Sequence, residues 1–312
     1  MRNEFEFIRS IRQKYGLQKV GDDCAVLQKD SKTDLVVTAD LLVEDIDFRL
    51  NWTTPEFLGH KALAVSLSDI AAMGGMPKWA LLSIGIPSHI WTGKFVDKFY
   101  AGWFRLARTY AVELVGGDVS RTPDKVVIDS IVGGEVRRGR AVLRSGARPG
   151  DSIFVTGPLG GAAGGLVLLE AGKKNSRKQK ELIARQLRPT PRVEVGEYLS
   201  GRKLATSMID ISDGLSSDLH HLCDASSVGA RIEFDKIPID ARLSSTGQDI
   251  SDLALGGGED FELLFTSKRK TISSSALPPI SRIGEITPNA GQVELFGEGW
   301  QRPLPRTGYR HF

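Results

Sequence analysis

The chain has 312 residues, 41% apolar and 25% charged, which is enough to build the buried cores of two soluble domains. A formal net charge of +3 is too small to predict a nucleic-acid partner, and the apolar runs are too short to cross a membrane. Two distant cysteines without a CxxC motif exclude a thiolate zinc site and a disulfide framework, and with acids where a signal peptide needs apolar residues they favour a cytoplasmic protein.

The first half of the chain alternates strand and helix patterns. Residues 34–48 are rich in strand formers, and residues 53–75 predict a long helix that Thr54 caps, Pro55 begins and Gly74 ends. Further elements are predicted as strands at 78–87, 113–120 and 125–136 and as a helix at 92–112.

A domain boundary is predicted where charge, glycine and proline accumulate, from Arg138 to Pro149. It divides the chain into residues 1–140 and residues 141–312. The second part begins with a strand at 152–157, a glycine-rich bend at 158–165 and a helix at 166–172. Its other predicted elements are helices at 179–187, 192–201 and 214–227, and strands at 205–212, 229–234, 261–267 and 281–286. This alternation predicts two mixed α/β domains.

The common nucleotide and hydrolase motifs are absent from the sequence. It contains no GxxxxGK[ST], GxGxxG, HExxH or GxSxG. The glycine-rich stretch at 156–165 has no phosphate-loop lysine, so tight packing at a strand-to-helix bend and phosphate binding are both open interpretations. His220 and His221 lie in the middle of a predicted helix and are interpreted as surface or packing residues.

The residues that remain for chemistry are acids, which recur where predicted elements end. They are Asp22, Asp23, Asp40, Asp69, Asp118, Asp210, Asp213, Glu259 and Asp260. Taken one at a time, each is interpreted more simply as a turn or capping residue, since turns favour aspartate beside glycine and Ser212 or Asp213 can cap the next helix.

Two of these acids do not fit a turn or a cap. Asp69 lies near the C-terminal end of its predicted helix, where the helix dipole disfavours an anion. Asp210 follows a buried-type strand and precedes the cap position by too many residues to serve it. Carboxylates gathered without lysine indicate a hard cation, and Mg²⁺ is the usual one where phosphate is also a ligand. The sequence therefore predicts a Mg²⁺ site.

In this order, the motifs of the chain resemble the thiamine-monophosphate kinase family, in the superfamily of aminoimidazole ribonucleotide synthetase and selenophosphate synthetase. The resemblance covers nearly the whole chain through GDDCAV, TADLLVEDIDF, GHKALAVSLSDIAAMGG, GGDVSR, LRSGARPGD, VTGPLGG, LRPTPR, IDISDGLSSDL, GGGEDFEL and GYRHF. It implies direct in-line transfer of the ATP γ-phosphate onto thiamine monophosphate with several Mg²⁺ ions, K⁺ being a further candidate cation. It also implies a homodimer whose N-terminal sheets close into a barrel.

The resemblance also implies a role for particular residues. The catalytic residues would be Asp210 and Asp213. The implied metal ligands are Asp23, Thr38, Ala39 through its backbone, Asp40, Asp69, Asp118, Asp210 and Asp213. The implied ATP contacts are Gly117, Asp118, Arg144 and Ser212, and the implied contacts to thiamine monophosphate are Asp47, Glu259 and Tyr309.

Three other functions stay open at this point. One is another ATP-dependent kinase or synthetase of the same superfamily, although neither Cys24 nor Cys223 lies in the glycine-rich N-terminal loop expected of selenophosphate synthetase. The others are a nucleotide-binding regulatory module without turnover and a structural cation-binding protein. Release of ADP with and without thiamine monophosphate separates an enzyme from a binding module.

Overall fold

The computed structural model describes residues 4–91, 93–274, 277–309 and 311, and it has the two mixed α/β domains predicted from the sequence. The helices are α1 Glu4–Tyr15, α2 Pro55–Ala72, α3 Ser88–Trp91, α4 Phe95–Thr109, α5 Gly161–Glu170, α6 Arg177–Leu187, α7 Val193–Gly201, α8 Leu215–Ser226 and α9 Ile250–Gly256. The strands are β1 Ala25–Gln28, β2 Thr33–Val43, β3 Met76–Pro87, β4 Glu113–Thr122, β5 Val127–Arg137, β6 Ser152–Thr156, β7 Ser207–Asp210, β8 Gly229–Glu233, β9 Leu263–Ser267, β10 Ile280–Thr287, β11 Val293–Gly297 and β12 Trp300–Pro303. In the part of the chain thus described, every helix is too short or too polar to span a bilayer.

The first domain is a five-stranded sheet in the order β1-β2-β5-β3-β4, with α2 packed on β2, β5 and β3 and α4 packed against α2. In this sheet β3 and β4 pair in parallel, whereas β1 with β2, β2 with β5 and β5 with β3 pair antiparallel. The predicted ends of α2 are confirmed: the Thr54 hydroxyl accepts a hydrogen bond from Phe57 N, Pro55 is the first helical residue, and Gly74 adopts a φ of +69°.

The second domain is a seven-stranded sheet in the order β12-β11-β8-β10-β6-β9-β7. The glycine-rich stretch differs from its prediction, because α5 begins at Gly161 inside the expected bend and not at residue 166. The reason is close helix packing: a Cβ at Gly165 would lie 2.3 Å from the carbonyl oxygen of Leu182 on α6. The sequence did not indicate α1, β1, α9, β11 or β12, which are short or largely exposed.

The long helix α2 brings the two domains together. It packs on β2 and β5 of its own sheet and on α7 and β7 of the second domain. The apolar core beneath it is continuous, because Phe154, Met208 and Phe265 join the core of the first domain. This packing places the C-terminal third of α2 beside the end of β7. The division of the chain at residue 140 stays a prediction.

Candidate active site

Three predicted carboxylates meet where the two domains join. Asp23 precedes β1, Asp69 lies near the end of α2, and Asp210 ends β7; one oxygen of each lies within 4.8 Å of the others. Asp23 and Asp210 are buried and Asp69 is half-buried. Like charges at this separation in a buried place repel strongly unless protons or a cation neutralise them.

Hydroxyl groups hold these acids in place. The donor and acceptor pairs are Thr38 to Asp69 at 2.5 Å, Ser68 to Asp210 at 2.6 Å and Ser66 to Asp40 at 2.7 Å. The sequence reasoning missed Ser66 and Ser68, although two serines in an otherwise apolar, buried helix were a signal that polar partners lie opposite. Because both serines lie on α2, this helix positions Asp40 of the first sheet and Asp210 of the second.

Arg144 supplies the nearest positive charge. Its Nη2 donates to Asp23 Oδ1 at 2.6 Å, and its backbone N–H donates to Asp22 at 2.8 Å. The other oxygen of Asp23, Oδ2, is buried and has no hydrogen-bond partner among the described residues. A buried carboxylate oxygen without a partner costs free energy, so this atom is suited to bind a cation.

Burial favours neutralisation of these acids by a proton or a cation. Burial, aided by the charge of Asp23, raises the pKa of Asp210 to about 8. Burial raises the pKa of Asp40 to about 6, and it raises the pKa of Asp69 well above its usual range, with Asp40 and Asp210 adding to the effect. Carboxylate and hydroxyl oxygens are the ligands that hard cations take. The residues present therefore fit Mg²⁺.

A cavity of about 530 Å³ opens beside the acids and is lined by both domains. The predicted residues that line it are Asp40, Asp47, Arg144, Ser212, Asp213, Glu259 and Tyr309. A larger cavity of about 690 Å³ lies between α7 and the first sheet, and none of the predicted residues lines it. The cavity beside the acids is therefore the candidate active site.

The segment at 256–262 is tied to the segment that carries Asp210 and Asp213. Glu259 N donates to Ser212 O at 2.7 Å, and Phe261 N donates to Ile211 O at 2.9 Å. Glu259 and Phe261 both adopt positive φ, +65° and +49°, which costs roughly 1–3 kcal/mol for each such residue. Backbone strain of this kind is found at sites where it orients a side chain.

Two further acids in this segment make structural contacts. Asp260 accepts hydrogen bonds from the backbone N–H groups of Gly160 and Ala162 at the start of α5. Glu262 accepts two hydrogen bonds from Arg192, at 2.6 and 2.5 Å. Because Asp260 occupies the N-terminus of α5, the structure favours the packing interpretation of the glycine-rich stretch over phosphate binding.

Two family models match successive parts of the chain. Residues 21–136 match the family model "AIR synthase related protein, N-terminal domain", and residues 148–294 match its C-terminal counterpart. The thiamine-monophosphate kinase of Bacillus subtilis (strain 168) is 38% identical to this chain, in an alignment that covers 99% of each of the two chains. This chain belongs to the thiamine-monophosphate kinase family.

Other members of the family agree in length and fold. The thiamine-monophosphate kinase of Escherichia coli (strain K12) is 39% identical over 99% of this chain and 95% of its own. The solved structure of AaThiL complexed with AMPPCP and TMP is 36% identical and has a TM-score of 0.91, covering 100% of this chain and 99% of that chain.

Two family positions lie apart from the acids. Gly117 and Asp118 are exposed on β4, the edge strand of the first sheet, and neither lines the cavity. Among the described residues, no hydrogen bond joins Asp118 to Asp23, Asp69 or Asp210. Ala39 is exposed on β2, next to Asp40. The roles predicted for these three residues therefore rest on the family resemblance.

The C-terminal motif lies against the cavity. Tyr309 is 46% exposed, its backbone N–H donates to Asp213 O at 3.1 Å, and its ring contacts His311 edge-on. Arg310 and Phe312 of the same motif lie outside the described residues. The hydrogen bond to Asp213 holds this end of the chain beside the predicted catalytic segment.

Proposed function

We propose that this protein transfers the γ-phosphate of ATP onto thiamine monophosphate, giving thiamine diphosphate, by direct in-line transfer with Mg²⁺. The observation that carries the proposal is the one cavity that Asp40, Arg144 and Asp213 line together with Asp47 and Glu259. We assign the first set to the phosphates of the two substrates and the second set to a cation such as the thiazolium ring. The named family members and the AaThiL complex with AMPPCP and TMP support it.

The phosphate end is assigned to the acids and Arg144. The residues proposed to hold Mg²⁺ are Asp23, Thr38, Ala39, Asp40, Asp69, Asp118, Asp210 and Asp213. The chemistry that Mg²⁺ supplies when bound is neutralisation of phosphate oxygens. Gly117, Asp118, Arg144 and Ser212 are proposed to bind ATP, with Arg144 contributing a fixed positive charge. K⁺ is a further candidate cation.

The acceptor end is assigned to Asp47, Glu259 and Tyr309. The two carboxylates attract the positive charge of the thiazolium ring, and an aromatic side chain can stack on it for about 0.5–2 kcal/mol. Asp47 is itself held by a hydrogen bond from Val43 N to its Oδ2 at 2.8 Å. The acceptor is thereby held at its ring, which leaves its phosphate directed toward the acids.

The transfer needs positioning more than a strong base. An oxygen of the acceptor phosphate forms a bond to the γ-phosphorus while the bond from that phosphorus to the β–γ bridging oxygen breaks, and ADP leaves with the electron pair. The attacking oxygen is already anionic, so no side chain has to remove a proton. Asp210 and Asp213, which are proposed to be catalytic, would hold the Mg²⁺ whose charge neutralises the phosphate oxygens.

The proposed assembly is a homodimer in which the two N-terminal sheets close into a barrel. The exposed edge strand β4 supports it, since Val115 and Val119 are 53% and 50% exposed there. An exposed edge strand of this length invites pairing with another strand. The division into domains 1–140 and 141–312 and the cytoplasmic location also belong to this proposal.

The test is an assay of ADP and thiamine diphosphate formation from ATP, with and without Mg²⁺. We expect thiamine diphosphate and ADP in equal amounts from thiamine monophosphate, and neither product in excess chelator. Unphosphorylated thiamine and unrelated phosphomonoesters serve as control acceptors. Turnover of a different acceptor alone would indicate another enzyme of the superfamily, and ATP binding without any ADP release would indicate a regulatory module. Mg²⁺ binding with no affinity for ATP would indicate a structural cation-binding protein.

A further inference from the structure

Lys61 is a buried cation inside the candidate active site. It lies on α2, two helical turns before Asp69, lines the cavity and is 3% exposed. Its Nζ lies 2.6 Å from Glu259 Oε1 and donates to the carbonyl oxygen of Asp47 at 3.3 Å. Lysine is almost never fully buried unless it is paired. This lysine therefore contacts the carboxylate of Glu259 and the backbone of Asp47, the two acidic residues proposed to recognise the acceptor.

Gln186 of α6 gives a second donor to the same carboxylate. A carboxylate only accepts hydrogen bonds, so the amide nitrogen of Gln186 must face Glu259, as the structure has it. Gln186 is buried and lines the cavity, and its Oε1 has no partner in the part of the chain that the structure describes. Two donors from two helices therefore fix the carboxylate of a residue whose backbone is held at a φ of +65°.

The side chains of Asp47, Glu259 and Lys61 together suit a singly charged cation. Asp47 and Glu259 contribute two negative charges and Lys61 contributes one positive charge, so these three groups carry one net negative charge. Without Lys61 the charge of Glu259 would act on Asp47 with less compensation. Burial raises the pKa of Asp47, the charge of Glu259 raises it further, and the charges of His311 and Lys61 lower it. Loss of Lys61 therefore favours protonation of Asp47.

We infer that Lys61 is a positioning residue for the acceptor: its ammonium group, with the amide of Gln186, holds the Glu259 carboxylate where it meets the cationic ring of the substrate. Lys61 acts through Glu259 and has no part in the transfer itself. This inference rests on the proposed function, because it concerns the acceptor of that reaction.

The first test compares the Michaelis constants of variants. Lys61→Met should raise the KM for thiamine monophosphate by roughly 10- to 100-fold, because Glu259 loses its charged partner, while kcat and the KM for ATP stay within about threefold. Gln186→Met, which leaves no unpaired charge, should raise the same KM by about three- to tenfold. Lys98→Met is the matched control, because Lys98 forms an exposed pair with Glu56 at 3.7 Å outside the cavity.

The second test separates positioning from a merely structural role. The double variant that combines Lys61→Met with Glu259→Gln should have a KM for thiamine monophosphate no higher than that of Glu259→Gln alone, because Lys61 acts through the Glu259 carboxylate. In Lys61→Met the KM should fall as pH rises and Asp47 ionises, because the pKa of Asp47 is raised by burial and loses the opposing charge of Lys61, and in the wild type the KM should change much less with pH. The wild type and the variant share the other groups that interact electrostatically with Asp47, which are Glu259, His311 and Tyr309. A difference between their pH profiles therefore reports the loss of Lys61.

The outcomes distinguish this inference from the proposed function. Wild-type protein that makes no thiamine diphosphate overturns the function itself. Wild-type turnover with an unchanged KM in Lys61→Met and Gln186→Met overturns the positioning role alone, and so do multiplicative effects in the double variant. A Lys61→Met chain that does not fold, judged by thermal melting, leaves Gln186→Met as the deciding variant.

Discussion

Asp210 illustrates, for one residue, how burial and charge act together. It is 2% exposed at the end of β7, and its pKa is raised from the ordinary 3.8 to about 8 by burial and by the charge of Asp23. Between these two pH values the folded protein holds a proton that the unfolded chain has released. The stability of the metal-free protein therefore falls as pH rises through this window. Burial raises the pKa of both Asp40 and Asp213 to about 6, which adds to the fall between pH 3.8 and about 6.

We predict that Asp210→Asn stabilises the metal-free protein at pH 8. The amide has no charge to bury, so the free energy of unfolding should rise by on the order of 2 kcal/mol at pH 8 and by much less at pH 5. Urea unfolding in chelator at both pH values measures this. With Mg²⁺ added, the wild type should gain more stability than the variant, which should also lose most activity. Metal-free wild-type protein that becomes more stable from pH 5 to pH 8 would contradict the prediction.

At the scale of elements, the start of α5 shows how a distant side chain can determine a local structure. The helix begins with Gly161 and Ala162, and its N-cap residue, Gly160, offers no side chain to bind the free N–H groups. Asp260, which precedes β9, accepts hydrogen bonds from two of them. The carboxylate thereby replaces the cap that the local sequence lacks, and it fixes the segment that carries Glu259.

We predict that Asp260→Ala lowers the free energy of unfolding by about 2–4 kcal/mol, because two buried N–H groups lose their acceptor. Asp260→Asn keeps one acceptor oxygen and should lose about half as much. Ser176→Ala removes the exposed cap of α6 and is the control, with an expected loss of about 1 kcal/mol. Chemical unfolding of the variants checks the order. An Asp260→Ala variant as stable as the wild type would assign the cap no energetic role.

At the scale of the whole molecule, the first sheet is unfinished at β4. This strand pairs with β3 on one side, and its other side has no neighbouring strand among the described residues. Val115 and Val119 are exposed along it, and the predicted ATP residues Gly117 and Asp118 lie between them. In the proposed homodimer a second copy of the chain would cover this edge.

We predict that the protein is a dimer at micromolar concentration and that Val119→Lys makes it largely monomeric, because a buried lysine without a partner is costly at an apolar interface. Light scattering coupled to size-exclusion chromatography measures the mass. Ile250→Lys, at an exposed position on α9, is the control and should stay dimeric. A wild-type monomer across the micromolar range would exclude the dimer and with it the barrel.

Most secondary-structure elements of this protein, and the acids that form its candidate site, could be predicted from the sequence. Helix α2 was predicted with its cap, its first proline and its final glycine, because these signals act within one turn of the chain. Asp69 and Asp210 were singled out because each breaks a local rule, and the structure brings both together with Asp23.

Other contacts were decided by the tertiary structure alone. Lys61 meets Glu259, Ser68 meets Asp210, and Asp260 caps α5, each across about a hundred residues or more. Such contacts depend on how α2 packs between two sheets, which no local pattern records. The glycines of α5 were ambiguous for the same reason, since close packing and phosphate binding favour the same residue type. Local sequence patterns thus predicted the secondary-structure elements and singled out the acids of the candidate site. Packing between the domains decided which residues hold those acids in place.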